Sequence, residues 1–238
     1  MSTTTSTTTN IRKQYGIYWY SGKGPQAAMF SAAKDTTHNC FFKQTTPYHS
    51  FASCPDHGFM MDLIKGVDPT RRHFFELILN DTPVRLYLDI EWVIDDENPT
   101  NEMIMAANQR VAKVIQYISD EIDDPMYVDA RTTISSRVST DKGEPCYKHS
   151  YHIVFPNIYF HANDKGMKKW VFDLIAKYHL LDLGVDNTVY TMNRAFRTIG
   201  SQKFGTTQAL VAINLENNNR ATIDEMDTDV VMEYVISV

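Results

Sequence analysis

The chain has 238 residues, with 23 Lys and Arg against 29 Asp and Glu, a formal net charge of −6, 43% hydrophobic residues and 22% charged ones. That length can bury a real core, as one large domain or two closely associated lobes, and the composition is that of an ordinary globular protein. The acidic balance argues against a protein that coats nucleic acid non-specifically, and no apolar run nears the roughly 18 residues of a membrane span.

Residues 1–10 are almost all Ser and Thr. They lack the basic and apolar blocks of a signal peptide and read as a disordered tail. Cys40, Cys54 and Cys146 stand far apart, with no Cys-x-x-Cys. That argues against a structural zinc site within the chain and for a reducing intracellular compartment. Residues 14–20 are rich in aromatics and suggest an early strand. Segment 21–70, broken by Gly, Pro, Asp and His, resists assignment. Residues 74–79 read as a strand, 80–83 as a turn, and Val84–Ile94 as a second strand completing a hairpin. Thr100 is the expected N-cap of a helix with Glu102 in its first turn. Ile104, Ala107, Val111, Val114, Ile118 and Ile122 then recur at helical spacing. Residues 131–138 and 148–155 read as strands joined by a polar loop at 139–145. A second helix starts near Asn163, with Trp170, Val171, Leu174 and Tyr178 on one face. Residues 185–211 look strand-rich, and an acidic segment follows. Hairpins mixed with two long helices imply an α+β class.

Within Val84–Ile94, Leu86, Leu88, Ile90 and Trp92 share one parity, while Arg85, Tyr87, Asp89 and Glu91 share the other. A strand with this alternation buries one face and holds two carboxylates roughly 6–7 Å apart on the other. Adjacent anions repel, and a hard divalent cation between them is the usual remedy. In the next strand Lys148, Ser150 and His152 share one face, an ammonium, a hydroxyl and an imidazole suited to phosphate oxygens. A third stretch places Asp186 ahead of Arg194, Arg197 and Lys203, which fits a metal ligand beside a triphosphate clamp. Basic residues also cluster at Arg71–Arg72 and at Lys165, Lys168 and Lys169; for the lysines a solvated helix face is the more economical reading. Three carboxylates, a Ser/His pair and several cations on three separate strands are the inventory of two-metal nucleotidyl transfer, in which two ions ~3.5–4 Å apart activate the attacking hydroxyl and stabilise the leaving group.

Asp89-Ile90-Glu91, Ser150-Tyr151-His152 and Asp186, in that order, resemble the three motifs of the archaeo-eukaryotic primase superfamily, in its primase-polymerase branch, which includes primases of large DNA viruses. Val189-Tyr190, Asn193-Arg194, Phe196-Arg197, Ser201 and Lys203 extend the likeness, which covers roughly residues 70–212. The resemblance implies an RRM-like catalytic module (81–238) packed with a smaller N-terminal α/β module (11–80). It implies that Asp89, Glu91 and Asp186 are catalytic and ligate two Mg²⁺ or Mn²⁺ ions. Lys148, Ser150 and His152 would contact the incoming nucleotide's phosphates; Arg194, Lys203 and Arg197 would hold the triphosphate; Phe75 would lie near the sugar. The implied partners are a DNA template–primer and dNTP or NTP substrates. A virus-encoded enzyme of the infected cell fits the same likeness. Many relatives carry a downstream zinc module or helicase, and neither motif is present here. Those functions are supplied elsewhere or on a longer protein, and primer extension is a safer expectation than priming from nothing. Two other readings stay open: a two-metal nuclease, and a non-catalytic RRM-like nucleic-acid-binding module.

Overall fold

The computed structural model describes residues 9–14, 16–22, 24–33, 37–47, 49–80, 82–123, 128–141 and 143–237; residues 1–8 of the expected tail and Asp81 of the expected turn lie outside them. Within those residues the chain forms two antiparallel sheets and five α-helices, the mixed class implied by its pattern. The first sheet holds β1 (Thr9–Gln14), β2 (Ile17–Gly22), β3 (Cys40–Thr45), β4 (His49–Cys54), β5 (Phe74–Ile78) and β9 (Arg194–Arg197), in the spatial order β1-β2-β4-β3-β5-β9. The second holds β6 (Val84–Ile94), β7 (Arg131–Asp141), β8 (Glu144–Phe160), β10 (Val211–Ile213) and β11 (Arg220–Ala221), ordered β11-β10-β7-β8-β6. The helices are α1 (Pro25–Ala33), α2 (His57–Gly66), α3 (Asn101–Ser119), α4 (Lys168–Tyr178) and α5 (Thr228–Met232).

The second sheet follows its hydrophobic pattern closely. Leu86, Leu88 and Ile90 are buried in one cluster with Val111, Val114 and Ile118 of α3 and Val171 and Leu174 of α4. Thr100 caps α3 as expected, its side chain accepting the Met103 N–H. Trp92 lies half-buried on the same parity, with the Arg110 guanidinium 4.0 Å from its ring centroid. A π-helical turn at Asn163–Met167 leads into α4.

Several sequence expectations fail for identifiable reasons. Residues 74–79 and Val84–Ile94 are both strands, but not a hairpin: β5 pairs with β3 and β9, while β6 pairs with β8. Each strand finds its hydrophobic face in a different sheet, and local turn chemistry did not decide the pairing. The expected early strand at 14–20 is interrupted at Gly16, whose φ of +79° ends β1 and starts β2. Most of the polar loop expected at 139–145 is strand: Ser139, Thr140 and Asp141 pair with Cys146, Pro145 and Glu144 as the end of a long hairpin, and Lys142 lies outside the described residues. Residues 185–211 hold only β9, the start of β10 and isolated bridges; Asp186 is therefore not on a strand but caps a short 3₁₀ turn at Asn187–Val189. Segment 21–70 contains α1, β3, β4 and α2. Cys40 and Cys54, far apart in sequence, are direct cross-strand neighbours and both are free thiols.

In the basic clusters outside the third motif, Arg72 and Lys169 are taken up by ion pairs. Arg72 is buried, donates to both carboxylate oxygens of Asp224 at 2.8 Å, and also donates to the Lys65 and Val67 carbonyls. Lys169 pairs with Asp173 on the exposed face of α4.

The two sheets are interleaved through β9 and the C-terminal segment. β9 is an edge strand of the first sheet, yet its Phe196 ring packs on His152 of β8 (centroids 4.1 Å apart) and on Tyr87 of β6 (4.8 Å). The C-terminal segment returns to β5 and β6. Ser237 bridges Val84, the Arg85 N–H donates to the Ile236 carbonyl, and the buried Glu76 carboxylate accepts from the Ile236 and Ser237 N–H groups and the Ser237 hydroxyl.

Candidate active site

The register of β6, β8 and β7 builds the site as three cross-strand rows. Asp89 lies opposite His152, which lies opposite Thr133. Glu91 lies opposite Ser150, and Ser150 opposite Ser135. Val93 lies opposite Lys148, and Lys148 opposite Arg137. Because side chains alternate along each strand, these nine residues share one face. Carboxylates occupy the β6 end of the rows, hydroxyl and imidazole groups the middle, and cations the far corner.

Asp186 reaches the carboxylate end through its backbone. Its N–H donates to the Asp89 carbonyl at 2.8 Å, the Glu91 N–H donates to the Gly184 carbonyl at 2.9 Å, and Val185 bridges Ile90. This close approach depends on Gly184, which has φ +86°; a Cβ there would stand 2.3 Å from the Glu91 carbonyl oxygen. Downstream, the Tyr190 hydroxyl donates to the Tyr87 carbonyl, and the Tyr87 hydroxyl lies 3.0 Å from both Asn163 Oδ1 and the Val189 carbonyl.

The charges in the site perturb one another. Burial pushes the Asp89 carboxyl up to about 7, and Glu91 and Asp186 push it the same way, against the pull of Lys203 and Arg197. Asp89 Oδ1 is buried without a hydrogen-bond partner, 3.9 Å from His152 Nε2. Burial and the Arg197, Lys203 and Arg194 charges hold the His152 pKa well below its ordinary value, so its imidazole is neutral at pH 7. Burial lowers Arg197 to about 10, and its Nε has no partner. Lys203 is lowered by burial and by neighbouring Arg197.

A small pocket opens beside Glu91 and Ser150, and Lys148, Arg197 and Lys203 also line it. The structure adds Ser135 and Arg137 from β7, and Thr206 and Gln208 from the following loop, to the residues that sequence alone singled out. Their signal was present in the sequence, since Thr133, Ser135 and Arg137 have one parity. It had no meaning until the β7–β8 register was known. Arg194, the first residue of β9, stands apart from this pocket; its charge acts on Tyr87 and His152, and its Nε is buried without a partner. Phe75 is half-buried on β5, opposite Arg197 in register and outside the residues lining the pocket.

Whether these residues suit a metal ion can be judged from their donors. Three carboxylates, one with a buried unpartnered oxygen, are hard oxygen ligands of the kind Mg²⁺ and Mn²⁺ take. Among the described residues no group of three His, Cys, Asp or Glu side chains is already gathered for an ion. Glu91 Oε2 accepts from Lys148 at 2.6 Å, and Asp186 Oδ1 accepts the Thr188 N–H at 2.8 Å. The donor chemistry fits: Glu91 and Asp186 each give one carboxylate oxygen to a protein donor and keep a second oxygen for an ion.

No helix among the described residues is long and apolar enough to cross a membrane. No family model matches the chain, and no curated protein matches it.

Proposed function

We propose that the chain is a metal-dependent, template-directed nucleotidyltransferase of the primase-polymerase kind. The observation that carries this reading is the juxtaposition on one strand face of a carboxylate edge, Asp89 and Glu91 with Asp186 beside them, and a cationic pocket containing Lys148, Arg197 and Lys203. A nuclease needs the first feature; a nucleotide polymerase needs both. The order β6, α3, β7, β8, α4, then the Val185 bridge beside β6, is the order of a split βαβ module. It supports an RRM-like catalytic module, with the sheet around β1–β5 as its N-terminal companion.

In this reading Asp89, Glu91 and Asp186 hold two divalent cations, which when bound stabilise charge on the attacking and leaving oxygens. Lys203, Arg197 and Lys148 hold the triphosphate so that its α-phosphate faces the carboxylate edge, and positioning supplies much of the rate. Ser150 donates its hydroxyl to a phosphate oxygen. His152, kept neutral, donates one N–H without adding charge. Its ring packs on Phe196 and hydrogen-bonds the Arg197 backbone. The 3′-hydroxyl of a primer, or of an initiating nucleotide, is the nucleophile. DNA template–primer and dNTP or NTP are the substrates, with a helicase or zinc module as the natural companion activity.

The test is extension of a labelled primer–template with deoxynucleotides and Mg²⁺ or Mn²⁺, comparing wild type with Asp89→Ala/Glu91→Ala. Extension by the wild type alone supports the reading. No extension with either metal by a folded protein overturns it. Cleavage of the same DNA without nucleotides would then favour the nuclease.

A further inference from the structure

We propose that Arg137 is a phosphate ligand, the outer wall of a pocket that binds a linear triphosphate. The proposal rests on the nucleotidyltransferase reading for the source of that triphosphate and on the pocket alone for its chemistry. Arg137 stands at the cationic corner of the three rows, opposite Lys148 on β8, and lines the same pocket as Lys203 and Arg197. Four cations surround this space, and the only carboxylate lining it, Glu91, is already bonded to Lys148. Among the described residues the Arg137 guanidinium has no hydrogen bond or ion pair, and Arg197 presents a buried Nε with no partner. Like charges gathered in a half-buried pocket repel unless an anion joins them; burial is the main cause that lowers Arg197 and Lys203, and the Arg137 charge lowers both further against the pull of Asp89 and Glu91.

The pocket is narrow, and a tied loop bounds it on one side. Ser135 donates its hydroxyl to the Gln208 carbonyl at 3.2 Å, tying the loop that carries Thr206 over the β7–β8 face. Ser150 supplies a hydroxyl to the pocket lining, while the Thr206 hydroxyl donates to the Lys203 carbonyl at 2.8 Å and holds that loop together. A guanidinium can grip two oxygens of one phosphate at once.

The experiment is calorimetric titration of sodium tripolyphosphate into the full chain in the presence of a chelator, so that no divalent cation takes part. Wild type should bind. Arg137→Ala should weaken binding by roughly tenfold, the loss of one charge-assisted contact, and Arg137→Lys should recover part of it. Lys169→Ala, which removes a charge from the exposed face of α4, should leave the affinity unchanged. Equal binding by wild type and Arg137→Ala, or an equal loss in Lys169→Ala, overturns the proposal, as does absence of binding by folded wild type. A loss confined to Arg137→Ala in a protein that extends no primer would keep the pocket and remove the polymerase reading.

Discussion

Lys148 and Glu91 join the two halves of the candidate site: the Lys148 ammonium donates to Glu91 Oε2 at 2.6 Å, across neighbouring strands. Each is assigned a different task, phosphate contact for Lys148 and metal ligation for Glu91, and each occupies the other here. The pair is partly exposed, with side chains 25% and 38% accessible, so it is worth no more than about 1 kcal/mol and is readily exchanged.

Lys148→Met frees Glu91. Mn²⁺ should then bind more tightly, by up to about fivefold if the pair is worth about 1 kcal/mol, while the nucleotide KM rises. Titration calorimetry with Mn²⁺ and steady-state extension kinetics measure the two effects. Weaker Mn²⁺ binding would mean that Glu91 is not a ligand.

Asp89→Asn should abolish synthesis and stabilise the metal-free protein. The folded Asp89 carboxyl titrates near 7 against an ordinary 3.8. A raised folded value means stability that is present below about 3.8 and lost as the pH rises through about 7. In chelator at pH 8 the substitution should add on the order of 1–3 kcal/mol, read from urea denaturation. A destabilised Asp89→Asn protein would contradict the buried-charge assignment.

Glu76 carries a second, independent pH effect. It is fully buried, and burial raises it from 4.5 to about 7 despite hydrogen bonds from Ile236 and Ser237 and the nearby Arg85 charge. The sign is the same: its contribution is present below about 4.5 and lost as the pH rises through about 7, a change of about 3 kcal/mol. Glu76→Gln should flatten that part of the stability profile between pH 5 and 7 while the Asp89 part persists. Denaturation midpoints across that range decide it; a profile identical to wild type would refute the assignment.

Gly184→Ala tests how Asp186 is brought to the site. The substitution combines an unfavourable φ of +86° with a 2.3 Å approach to the Glu91 carbonyl, and should cost about 3 kcal/mol or more. Activity should fall further than stability, because the backbone bonds that seat Asp186 beside Asp89 are lost. A variant that is stable and active would show that the 184–186 segment has another way to its place.

The strands and helices whose period is written in their own residues were legible before any fold was known. Val84–Ile94 alternates, α3 repeats its apolar residues every three or four positions, and Thr100 starts that helix; each depends only on neighbours a few positions apart. The same alternation put Asp89 with Glu91, and Ser150 with His152, on common faces. Which strands pair became visible with the fold alone. β5 and β6 part into different sheets, β9 returns to the first sheet while its Phe196 covers the second, and Cys40 meets Cys54. The fold also decided that Arg72 is a structural ion-pair partner and that Arg137 stands in the pocket. Those outcomes rest on register between segments far apart in the chain, set by which hydrophobic faces can be buried together. A one-residue slip of β7 against β8 would leave the sequence unchanged and turn Arg137 away from Lys148.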